Sequence, residues 1–165
     1  MNASQNSQLL DLAQRVQTLT TQIVAEIHAA GVQEPTFNVV SESVPETQQY
    51  DFLRGALNEA ALDLLRLVNS PVYDARTFVC TLYDLVAWQV ACEFNFFTAI
   101  PENGEATVRE ISEQVGLDAD RVGRFLRLLA TQRVFEETAA GVFRHTSRSV
   151  LLLRNQGIRD AVHYQ

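Results

Sequence analysis

The side chains in this 165-residue sequence that could carry chemistry are few. His28, His145 and His163 stand far apart and share no ligand spacing, so no metal site is expected. Cys80 and Cys92 lie in an apolar helical stretch, where an unpaired cysteine behaves as a small apolar residue. Two widely spaced cysteines suggest no disulfide framework and fit a reducing, cytoplasmic setting. The chain has no lysine, which excludes Schiff-base chemistry on one. No Ser–His–Asp or Cys–His set follows from spacing alone. What remains is a polar group near the C-terminus, Arg159, Asp160, His163 and Tyr164, and an arginine row, Arg121, Arg124 and Arg127. Arginines on a helix could contact phosphates and base edges.

The charge balance argues against that second use. The formal net charge is −7, and it is uneven. Residues 1–104 hold four arginines against twelve acids, whereas residues 105–165 hold nine arginines against eight. A net-acidic chain repels a polyanion. Steps of three also drift around a helix, so the three arginines do not point one way. Asp118 and Asp120 at the helix start and Glu136 and Glu137 in the hairpin sit among them, so the row reads as a solvated face or a set of intramolecular ion pairs. The longest apolar runs are only a few residues, too short to span a membrane. The start, "MNASQNSQLLDLAQRV", lacks the basic and apolar blocks of a signal peptide.

The elements around these residues read mainly as helices. Leu9, Leu12, Val16, Leu19, Ile23 and Ile27 form one stripe over residues 7–30, with Gly31 as the stop. The stripe suits either a partner helix or the chain's own domain. Residues 32–47 carry two prolines and read as a linker. A second helix is predicted from about Glu46 to Val68, with Leu53, Leu57, Ala60, Leu64 and Leu67 at heptad-like spacing. Pro71 disfavours helix at the residue before it and ends this element. A third helix is predicted from about Tyr73 to Phe97. Phe78, Leu82, Leu85, Val86, Val90 and Phe97 mark one face, while Val79, Tyr83, Trp88, Cys92, Phe94 and Phe96 put apolar groups on the others. A helix apolar nearly all round is buried on more than one side. In a chain this small, a second subunit is the natural cover. Trp88, Phe94 and Phe97 could line an aromatic pocket or pack in a core. "IPENGEA" reads as a loop.

Residues 107–131 then read as a helix-turn-helix. Thr107 and Glu110 form a capping box, Gly116 supplies the turn and Asp118 caps the next helix. "VFEE" and "GVFRHT" around "TAAG" give a β-hairpin, which makes the whole a winged helix. His145, at the hairpin end, reads as a strand-end histidine with a local hydrogen bond. An apolar run, a break at Gly157 and a final helix close the chain.

The stretch "LDADRVGRFLRLLATQRVFEE" followed by "GVFRHTSRSVLL" resembles the N-terminal domain of S-adenosylmethionine-dependent small-molecule O-methyltransferases, with the fungal, sterigmatocystin-type branch nearest. The aromatic helix ending in "FNFFTAIPENGEATVREIS" fits the same pattern. The resemblance covers residues 73–165, and residues 1–72 match it only in helical character and leucine spacing. It implies a winged-helix dimerisation domain that interlocks with a second subunit, covers the acceptor-substrate pocket and does not read DNA. In such enzymes the cofactor and the catalytic base belong to a C-terminal Rossmann-like domain, beginning about where this sequence ends. The seven glycines here are never closer than seven residues, so no glycine-rich cofactor loop can be drawn. No cofactor is therefore expected in this chain, and S-adenosylmethionine only if a C-terminal domain exists.

The expectations are these. The fold is mainly α: a helical arm and helix pair (1–72), then a winged helix with a small hairpin (73–165), forming an interlocked homodimer. The dimer face draws on Leu9, Leu12, Val16, Leu19, Ile23, Leu53, Leu57, Leu64, Phe78 and Leu82. By the resemblance, the helix after the leucine run borders the acceptor pocket. Asp160 and His163 could orient a phenolic or carbonyl substrate there, with Trp88, Phe94, Phe97, Arg159 and Tyr164 as further pocket residues; a solvated chain end is the plain alternative. The function is the dimerisation and substrate-lid part of an O-methyltransferase-like protein of fungal polyketide metabolism, unable to methylate alone. One rival is a stand-alone accessory protein or cyclase holding a polyketide-like molecule in the dimer cleft, or serving a biosynthetic partner enzyme. The other is a winged-helix regulator.

Overall fold

The computed structural model describes residues 7–41 and 43–163, with His163 described by its backbone alone. Among the described residues there are seven helices and one three-stranded antiparallel sheet, and the chain separates into two compact units.

The first unit comprises residues 1–35 and 42–79. Helix α1, Gln8–Ala29, ends where Gly31 takes φ 70, a left-handed turn that glycine adopts without strain. Its apolar stripe is half-buried at Leu12, Val16, Leu19 and Ile23, and fully buried at Ile27. Thr47 ties two elements of this unit together. Its hydroxyl donates to Glu26 of α1 at 2.8 Å and accepts the Tyr50 N–H at 3.0 Å, capping the next helix. That helix, α2, runs Gln48–Glu93 but is broken at Ser70 (φ 62, ψ 157), the residue before Pro71. The proline forces the break as its ring chemistry requires. The helix then resumes at once, because a proline is tolerated in a first turn. Tyr50, Leu53 and Ala60 are buried on its first half.

The second unit comprises residues 36–41 and 80–165. Here α2 stops at Glu93, four residues short of the predicted end. Asn95 takes a left-handed conformation (φ 57), which asparagine tolerates better than most residues, and so ends the helix. The turn directs Phe96 and Phe97, on the short helix α3 (Phe96–Ala99), into the core. Phe97 stacks on Phe135 at 5.4 Å, and Phe135 packs on His145 at 5.6 Å. Ile100, Ile111, Val122, Leu126, Leu129, Val134 and Phe143 complete this core.

The predicted loop before the winged helix contains a strand, β1 (Glu105–Thr107). It joins β2 (Phe135–Ala139) and β3 (Val142–His145) in the order β1-β3-β2, all antiparallel. The hairpin is thus a three-stranded wing. Three residues are too few for alternation to stand out in the sequence, although the strand does alternate, with Ala106, opposite Phe143, buried between exposed Glu105 and Thr107. Gly141 (φ 74) makes the hairpin turn. The helix-turn-helix forms as its caps dictate. Helix α4, Val108–Val115, starts on the complete Thr107–Glu110 capping box and ends on Gly116 (φ 71). Helix α5, Ala119–Thr131, starts on Asp118, whose carboxylate accepts the Arg121 N–H at 3.1 Å. Helices α6 (Ser147–Arg154) and α7 (Gln156–His163) follow. The break between them falls at Asn155, which caps α6, and Gly157 lies inside α7.

Candidate functional site

Three regions could carry function. The first is the middle of α2. Every residue from 71 to 80 is exposed, and exposure continues at Leu82, Tyr83, Leu85 and Val86. Phe78 is 79% exposed and Leu82 63%. Val72, Tyr73, Val79 and Tyr83 are also open to solvent, so the apolar surface covers more than one side of the helix. Single exposed apolar residues are ordinary, whereas a run of them along one helix makes this a candidate interaction surface.

The second region is the C-terminal corner. Arg159 donates to the Leu152 and Leu153 carbonyls at 2.7 and 2.9 Å, closing the free end of α6, and also to Gln156. A cation at a helix C-terminus satisfies carbonyls that have no partner within the helix. Asp160 accepts from Gln156 at 2.7 Å. With Cys92, Glu93 and Asn95 these residues line a cleft of about 180 Å³. Burial pushes the Cys92 thiol up; Arg159 pulls it down and Asp160 adds to the rise. This cysteine is therefore a poor nucleophile. Sequence reasoning grouped Arg159 with Asp160, and the structure brings them together beside Cys92. Tyr164 and the side chain of His163 lie outside the described residues.

The third region is α5. Arg124 pairs with Asp120 at 3.1 Å and Arg127 with Glu137 at 3.4 Å. Two of the three arginines that might have met phosphates are thus engaged with the chain's own acids. Across the wing, Arg144 pairs with Glu136 at 2.8 Å.

Against this geometry, residues 78–155 match the family model of the O-methyltransferase dimerisation domain. These residues form an O-methyltransferase dimerisation domain. The chain is 37% identical to O-methyltransferase sol2 of Alternaria solani over 162 residues, which is 98% of this chain and 37% of sol2. It is 24% identical to O-methyltransferase kk1A of Curvularia clavata, over 93% of this chain and 37% of kk1A. A crystal structure of OxaC in complex with SAH and oxaline shares the fold, with a TM-score of 0.65 at 20% identity over 92% of this chain and 35% of that one. The 165 residues thus span little more than a third of these relatives. The sol2 match also runs through the helical arm, where the sequence pattern had offered only leucine spacing.

The dimerisation domain begins its match at Phe78, in the middle of the exposed α2 surface. Of the residues expected on the dimer face, Phe78, Leu82 and Leu9 are exposed. Leu12, Val16, Leu19, Ile23, Leu57 and Leu64 are half-buried, and Leu53 is 5% exposed, inside the chain's own packing. Leu62, Leu65, Val68, Val72, Tyr73, Val79 and Tyr83 are exposed apolar residues that the heptad count passed over. The signal for Val79 and Tyr83 was present in a helix apolar on every side.

The aromatic residues divide. Phe94 is exposed and lines a shallow cleft with Gln89, Val90 and Glu93. Trp88 is half-buried; its indole N–H donates to Gln132 at 2.8 Å and the Arg148 guanidinium lies 5.5 Å over its ring. Phe97, at 1% exposure, is a core residue. His145 is buried, with Nε2 donating to the Ile100 carbonyl at 3.0 Å and Nδ1 accepting from Ser149 at 2.8 Å. Burial pushes its pKa down, against the opposing effects of the backbone hydrogen bonds and Glu102.

The described residues do not fit S-adenosylmethionine in the doubly wound manner. All three strands are antiparallel, and none leads through a glycine-rich turn into a helix. No helix among them is long and apolar enough to cross a membrane.

Proposed function

We propose that this chain is the dimerisation and acceptor-lid part of an S-adenosylmethionine-dependent O-methyltransferase of fungal polyketide metabolism, working in the cytoplasm as an interlocked homodimer. The observation that carries the reading is the exposed apolar middle of α2. A helix wet on several sides and apolar on all of them needs cover from more than one direction. A second copy of the same helix and its neighbours supplies that cover symmetrically. In this division of labour the arm, residues 1–72, and the winged helix, residues 73–165, both contribute to the pairing. The acceptor, an aromatic polyketide-like molecule, meets the corner of Arg159 and Asp160 near the exposed Phe94. Methyl transfer itself belongs to a cofactor-binding region outside these 165 residues.

Sedimentation equilibrium on the 165-residue chain tests the pairing. The expected mass is that of two copies, and a monomer at micromolar concentration would sink the reading. Calorimetry tests the division of labour. These residues alone should release no heat of binding with S-adenosylmethionine, and a saturable isotherm would overturn that half.

A further inference from the structure

The linker between α1 and α2 does not behave as one piece. Thr36–Ser41 belongs to the second compact unit, while the residues flanking it belong to the first. The cause is a set of contacts centred on one helix start. Ser147, the first residue of α6, donates its N–H to the Phe37 carbonyl at 3.0 Å and its hydroxyl to the Thr36 carbonyl at 2.9 Å. The Arg133 guanidinium lies 5.7 Å over the Phe37 ring. Within the docked segment, Thr36 N–H donates to Ser41 Oγ at 3.1 Å and Asn38 N–H to Thr36 Oγ1 at 3.2 Å.

Asn38, Val39 and Val40 wall a cleft of about 480 Å³ whose remaining lining includes Glu102, Arg144 and His145. Yet Phe37 and Val40 stay exposed. The segment is held by a few hydrogen bonds and one cation–π contact, with little apolar burial. Such segments open locally at far lower cost than the whole fold.

We propose that residues 36–41 are a releasable strap: docked on Ser147 and Arg133 they wall the cleft beside His145, and undocked they open it. This inference does not depend on the dimer reading.

Ser147 offers a clean way to release the strap. It occupies the first helical position, and Thr146 before it is extended (φ −111, ψ 176). Proline suits that helix position and accepts an extended predecessor. Ser147→Pro therefore deletes both strap donors and leaves α6 standing. By hydrogen exchange on the 165-residue chain, the Thr36 and Asn38 amides should exchange about tenfold faster or more, while Val150 in α6 is unchanged. His145 should also react faster with diethyl pyrocarbonate. Unaltered strap exchange overturns the proposal, and a released strap with unaltered His145 reactivity overturns its cleft half. If α6 also loosens, Arg133→Ala decides, since it leaves the backbone donors in place. Strap exchange is then expected to rise about threefold, and no rise overturns the proposal. An unchanged sedimenting mass in these variants keeps the result separate from dimerisation.

Discussion

Two stretches of the same helix behave in opposite ways. From residue 71 to 86 nearly every α2 side chain is exposed, including Phe78 and Leu82. Within the next five residues Ala87 and Ala91 are fully buried, against a core that also holds Phe96, Phe97 and Phe135. Composition does not separate the two stretches, since both are rich in apolar residues. The winged helix has its own sheet, caps and aromatic stack to pack on. Among the described residues, nothing covers the apolar surface in the middle of α2. The contrast separates a stretch packed as structure from one that is the proposed interface.

Breaking the packed side should cost most. Phe135→Ala should lower the unfolding free energy of the winged helix by about 3–5 kcal/mol, read from urea melts, because it removes a ring stacked on Phe97 and leaves a cavity. A loss under ~1 kcal/mol would mean that the core is looser than its burial implies. Breaking the wet side should leave the fold alone and strike association. Phe78→Asp with Leu82→Glu should weaken the dimer about 100-fold or more, which is ~3 kcal/mol, in sedimentation equilibrium with an unchanged circular dichroism spectrum. Unchanged association would move the interface elsewhere.

Smaller effects sharpen the comparison. Thr107→Ala removes the capping box of α4 and should cost about 1 kcal/mol, seen as a lower urea midpoint at the same slope. The pH profile should report His145. Its folded pKa lies below the ordinary 6.5, so as pH falls the unfolded chain takes up the proton first. Stability is therefore full above pH 6.5 and declines below it. Glu102 and Glu110, held below the ordinary 4.5 chiefly by their bonds with Arg154 and Thr107, add their losses only at lower pH. His145→Gln should flatten the profile between those two values, and an equally steep profile in that variant would assign the decline to another group. Least of all, Arg124→Ala should change stability by no more than about 0.5 kcal/mol, because its pair with Asp120 is exposed. A larger loss in the same melts would give that pair a structural role.

Much of the architecture was legible because its signals are local. Capping residues, the Gly116 turn, the Pro71 break and the Gly141 hairpin each act within a few residues, and each appears where its chemistry places it. The site was less legible. Arg159 and Asp160 could be grouped by sequence distance, but the role of Arg159 in closing α6 depends on how α7 turns back on Leu152 and Leu153. Leu53 and Leu57 share one heptad pattern, yet one is buried and the other half-open. Periodicity names a face without saying what covers it.

The sequence by itself determined the helix-turn-helix, its caps, the acidic balance and the excess of apolar surface on α2, since all of these are set by residue type and short-range spacing. Only the tertiary structure decided that the wing has a third strand, that Asn95 ends α2 early, that Phe97 belongs to the core and that residues 36–41 dock on Ser147. Apart from the local left-handed turn at Asn95, those outcomes depend on pairings between residues tens of positions apart, where burial of one partner is defined only by the arrival of the other.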